Sequence, residues 1–73
     1  MNEKNKFGKY ESLMEYIVHE QNDILSGKSQ YKLEKSLTIM YALYKAAAGI
    51  GEVTWDQAFY MYADFTAKLL GIR

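Results

Sequence analysis

The sequence predicts an all-α fold, a compact three-helix bundle with a flexible N-terminal arm. Three observations predict it. Proline is absent, so no position is barred from a helix by a missing amide hydrogen. Three segments repeat their apolar residues with the 3.6-residue period of a helix buried on one face. The two joints between them are short and contain glycine, so helices adjacent in sequence are adjacent in space. A chain of 73 residues makes one domain. It divides into an arm at 1–9 and a helical domain at 10–73, with helices expected at about 10–25, 30–48 and 55–70.

The arm, MNEKNKFGK, has no apolar period. In YESLMEYIVHEQNDIL the apolar residues Tyr10, Leu13, Met14, Ile17, Val18, Ile24 and Leu25 fall in one sector of a helix. Glu11, Ser12, Glu15, His19, Asn22 and Asp23 fall opposite them, and Ser26-Gly27 ends the segment. The second segment places Leu33, Ser36, Leu37, Met40, Leu43, Tyr44 and Ala47 on one face, with Ile39 and Tyr41 at its borders. That arc is wide, as suits a middle helix touching two neighbours. Ser29 is the expected N-cap. Gly49 is the expected left-handed stop, with Ile50 folding back onto Tyr44.

The third helix has the clearest start. Thr54 and Gln57 have the spacing of a capping box, Val53 and Ala58 that of a hydrophobic staple, and Asp56 complements the helix dipole. Trp55, Ala58, Phe59, Tyr62, Phe65, Thr66 and Leu69 form the expected inner face, and Gly71-Ile72 the stop. The preceding GIGEV also resembles the turn of a helix-turn-helix, with Gly51 as the turn glycine and Ala47 four residues before it. The face such a reading helix would present carries Asp56, Gln57, Tyr60, Ala63, Asp64, Ala67 and Lys68. Acids without arginine suit neither base edges nor phosphates. The preferred reading is a helix stop followed by a helix start.

Composition narrows the function classes. No cysteine is present, so there is neither a disulfide nor a thiolate metal site. Nine basic and nine acidic residues balance, against both extensive phosphate binding and acidic mimicry of DNA. No apolar run approaches the ~20 residues of a membrane span, and no basic-then-apolar leader opens the sequence. A soluble, cytoplasmic protein without a cofactor is expected.

Candidate chemistry is sparse. His19 is the single histidine, with Glu15 one helical turn before it and Asp23 one turn after. One exposed helix face converges poorly on a metal ion, so the row reads as a solvated surface. No nucleophile–base pair or glycine-rich phosphate loop appears, and no catalysis is expected. The excess is in tyrosine, seven in all. Tyr10, Tyr44 and Tyr62 fall inward by phase, Tyr16 and Tyr41 at borders, Tyr31 and Tyr60 outward. Tyr60 stands beside a small-residue strip of Ala63 and Ala67, and tyrosine is enriched where proteins meet. Lys28, Lys32 and Lys35 form a basic edge at the entry to the second helix. The candidate partner-binding residues are Lys4, Lys6, Phe7 and Lys9 in the arm, Glu15, Tyr16 and His19 on the first helix, and Tyr60, Asp64 and Ala67 on the third.

In length, in lacking cysteine and any catalytic motif, and in its charged helix faces and surplus tyrosine, the chain resembles the small host-takeover proteins of bacteriophages. These include anti-CRISPR proteins and regulators that bind host RNA polymerase. No motif is shared, so no functional residue is carried over. The resemblance implies a non-catalytic inhibitor that docks on a bacterial protein complex and blocks it sterically. It would touch nucleic acid only weakly or indirectly and no membrane, and a homodimer is a further expected form. The alternatives are a dimeric DNA-binding regulator using residues 46–68 and a homo-oligomeric structural protein.

Overall fold

Ser12 opens the first helix. Its backbone is extended, its Oγ accepts from the Glu15 amide at 3.1 Å, and the chain then enters α1, Leu13–Leu25. The computed structural model describes residues 10–71. The expected arm at 1–9, and Ile72 of the expected final stop, lie outside the described residues. Among those described there are three helices and no strand: α1, then α2 at Leu33–Gly49 and α3 at Trp55–Leu70. None of them is long and apolar enough to cross a membrane.

Two starts lie later than the periodicity implied. The first helix was expected from residue 10, but the Ser12 cap stops it from extending back to Tyr10. The Glu15 carboxylate instead accepts from the Glu11 amide at 2.7 Å. The second was expected from residue 30 behind a Ser29 cap. Ser29 Oγ is used within the loop, accepting from Tyr31 N at 3.1 Å, and Lys32 takes the N-cap position with no side-chain bond. An ammonium group has no lone pair to offer a backbone amide.

The stop of α2 is displaced as well. Gly49 stays helical, and Gly51 adopts the left-handed φ of +86°. Two bonds close a Schellman motif around it: Gly51 N to Ala48 O at 3.1 Å and Glu52 N to Ala47 O at 2.9 Å. Ile50, expected to fold onto Tyr44, occupies the C-cap and is 61% exposed. Gly27, at φ +84°, ends α1 by the same pair of bonds, to Ile24 and Asp23. The start of α3 is as expected, with both halves of the Thr54–Gln57 capping box formed, at 3.0 and 2.9 Å.

The residue after the Gly51 turn joins the far ends of the fold. Glu52 reaches the N-terminus of α1, where its carboxylate oxygens accept from Leu13 N at 3.1 Å and Met14 N at 2.8 Å. It satisfies two amides that no helical carbonyl can reach, and places negative charge at the positive end of the helix dipole. Glu52→Ala should lower unfolding free energy by about 1 kcal/mol, and Glu52→Gln, which keeps one acceptor, by less. Urea denaturation of the three proteins checks this; equal stability would show that the contact is idle.

The core is small and partly built from small residues. Leu13, Ile17 and Ile24 of α1, Met40, Tyr44, Ala47 and Ala48 of α2, and Ala58 and Phe65 of α3 are buried together, with Ser36 among them. The most extensive pairing is between α2 and α3. Several bulky residues stay outside the core. Val18, Leu33, Trp55 and Phe59, all expected on inner faces, are 47%, 48%, 60% and 67% exposed.

Candidate functional site

The turn at Gly51 sets the last turns of α2 beside the first turns of α3. Tyr44 on α2 and Ala58 on α3 face inward and are buried. Tyr41 and Lys45 are left on the outer edge of one helix, and Trp55 and Phe59 on the outer edge of the other. Between these edges lies an apolar hollow of about 190 Å³ lined by all six residues and Tyr62. Its floor is a chain of edge-to-face rings: Tyr41 to Tyr62 at 5.3 Å and Tyr62 to Tyr44 at 6.1 Å between centroids. Lys45 Nζ lies 5.1 Å from the centre of the Tyr41 ring, a cation held on an aromatic face. Beyond Phe59 the surface continues to Tyr60, whose ring meets that of Phe59 at 5.7 Å. Tyr60 is 69% exposed and Tyr41 50%.

A second hollow, about 220 Å³, opens between the end of α1 and the following loop, lined by Glu20, Asp23, Ser29, Gln30 and Tyr31. Its carboxylates are already engaged. Asp23 Oδ2 lies 3.3 Å from His19 Nε2, and Glu20 Oε2 accepts from the Tyr16 hydroxyl at 3.2 Å. Burial, and then the charge of Glu20, raise the pKa of Tyr16 above that of an ordinary phenol. The aromatic hollow is therefore the better candidate for a site.

The residues expected to bind a partner fall into separate groups. Lys4, Lys6, Phe7 and Lys9 lie outside the described residues. On α1, Glu15 is bonded to Glu11 N, and Tyr10 stacks against both Tyr16 and His19, at 5.5 and 5.4 Å. The carboxylate–imidazole–carboxylate row therefore does not form as a unit, because Glu15 turns back to the helix start while Asp23 alone meets the imidazole. Among the described residues no group of three histidine or carboxylate side chains could hold a metal ion. On α3, Tyr60 is exposed as its phase implied, Asp64 pairs with Lys68 at 3.0 Å, and Ala67 is half-buried. Gln57, on the face a reading helix would present, has its Oε1 on the Thr54 amide.

Trp55, Phe59, Tyr41 and Lys45 were not among the expected site residues, yet they build the hollow. A signal for Phe59 was present. At about 100° per residue it stands roughly 120° around α3 from Phe65, too far for both to face one core.

No protein-family model, curated protein or solved structure matches this chain.

Proposed function

We propose that this chain is a small non-catalytic protein-interaction module that regulates a partner by covering part of its surface. One observation carries the proposal: the exposed aromatic residues Tyr41, Trp55 and Phe59 border a hollow the size of a large side chain, and Tyr60 meets the ring of Phe59 at its edge. Isolated exposed aromatics are ordinary on monomers, but a clustered patch marks a contact surface. Tryptophan and tyrosine are also the side chains that dominate binding energy where proteins dock. A neutral chain whose α3 surface is aromatic and acidic offers little to phosphates, so the partner is read as protein.

The resemblance to phage host-takeover proteins makes bacterial RNA polymerase and CRISPR effectors the partners to test. With purified assemblies, the expected result is a stoichiometric complex with reduced activity. Phe59→Ala and Tyr60→Ala should each weaken it by about tenfold or more. Each should change stability by no more than ~0.5 kcal/mol, read by urea denaturation in dilute solution. A complex indifferent to both substitutions would rule out this face. Failure of both assemblies to bind would rule out that partner class.

A further inference from the structure

We infer that the hollow between α2 and α3 receives one bulky apolar side chain of a partner protein, carried by an acidic segment whose carboxylate, next to that anchor, meets Lys45. The inference rests on the reading of this face as a docking surface and gives its partner a chemistry.

Size decides what enters. The hollow holds about 190 Å³, below the ~300 Å³ at which pockets begin to enclose a whole small molecule. Trp55, Phe59 and Tyr41, all exposed, form its rim. One large side chain can enter while the backbone that carries it stays outside, against those rings. Tyr62, Tyr44 and Ala58 complete the lining, and the Tyr44 hydroxyl is already donated to Gln21 Oε1. The recess therefore favours an apolar anchor.

Charge then decides what flanks it. Lys45 is the one charged residue in the lining. Its Nζ lies at the Tyr41 ring and forms no ion pair among the described residues. An ammonium on a ring face keeps donors free for a carboxylate. The acids of neighbouring segments are engaged or turned aside. Glu52 caps α1, and Asp64 pairs with Lys68. Asp56 follows Trp55 by one residue, so it stands about 100° around α3 from it. From 26 to 49 the chain carries four lysines against one glutamate, a local field that draws in an acidic segment and repels a basic one.

The test titrates the full chain with capped pentapeptides. Trp55 is the single tryptophan and lines the hollow, so its emission reports directly. Glu-Glu-Phe-Glu-Glu should bind saturably and shift that emission to shorter wavelength. Glu-Glu-Ala-Glu-Glu should bind at least about tenfold more weakly, and Lys-Lys-Phe-Lys-Lys several-fold more weakly. Lys45→Glu should reverse the preference between the acidic and basic phenylalanine peptides. Lys45 is exposed, so the folded state persists and circular dichroism verifies it. Absence of saturable binding by the acidic peptide overturns the inference. So does a charge preference that Lys45→Glu leaves unchanged. Phenylacetate binding as tightly as the peptide also overturns it, and makes the hollow a small-molecule site. If a host assembly binds through this face but is indifferent to Lys45→Glu, the acidic anchor fails and the docking reading stands. If the acidic peptide binds as expected and neither assembly does, the choice of bacterial partner fails and the anchor site stands.

Discussion

Phe65→Ala is expected to lower the unfolding free energy by about 3–5 kcal/mol. A domain of this size holds only roughly 4–11 kcal/mol in total, so the variant should be partly unfolded at physiological temperature. Phe65 is fully buried in the cluster that includes Ile17, Met40, Tyr44 and the three core alanines. Its removal leaves a cavity that the neighbours cannot fill. Alanine has no rotamer to swing inward, and three members of that buried cluster are alanines, Ala47, Ala48 and Ala58. The control is the same substitution six positions earlier. Phe59→Ala, at a residue 67% exposed, should leave stability within ~0.5 kcal/mol. Urea midpoints measured in dilute solution separate the two. Similar losses at both positions would mean that Phe59 belongs to the core and that the docking face does not exist.

That contrast also shows where the sequence is legible. The start of α3 could be read because the two hydrogen bonds that fix it join Thr54 and Gln57, three residues apart. Chain reversals were equally local, though the Gly49–Ile50–Gly51 run offered two glycines and only the geometry selects Gly51. The Glu52 cap on α1 was not readable. It joins residues 38 and 39 positions apart, and nothing in the local sequence marks a carboxylate that caps a distant helix.

The interior of the α2–α3 pairing was misjudged for a different reason. Bulky aromatics dominate an apolar stripe, so Trp55 and Phe59 drew the predicted core toward themselves. The buried residues there include Ala47, Ala48 and Ala58, whose small side chains weigh little in a hydrophobic pattern. Tyr60 was placed correctly because it lies far from the buried arc under either reading. The hollow was missed because its two walls come from different helices, and periodicity describes one helix at a time.

Alkaline pH should unfold this protein through Tyr44. Its side chain is 2% exposed, and its hydroxyl donates to Gln21 Oε1. Burial first, and then the negative charge of Asp64, push its pKa from the ordinary 10.0 up to about 12. The fold therefore prefers the neutral phenol. Below pH 10 the phenol is protonated in both folded and unfolded chains, and the stabilisation is present in full. Between pH 10 and about 12 the unfolded chain releases the proton more readily, so stability falls, by about 2–3 kcal/mol over the interval. Tyr16, whose pKa is also raised, acts in the same direction, and lysines begin to lose charge in the same range. The decisive quantity is thus the difference between the wild type and Tyr44→Phe. That variant should cost about 1 kcal/mol at neutral pH, because the Gln21 oxygen loses its donor. Its stability should then decline less steeply above pH 10, so that the two proteins converge or cross before pH 12. Ultraviolet titration should show one tyrosinate appearing last in the wild type, together with unfolding, and missing from the variant. Parallel stability curves over this range would mean that Tyr44 ionises without cost, and that the phenol at the base of the aromatic hollow is reached by water.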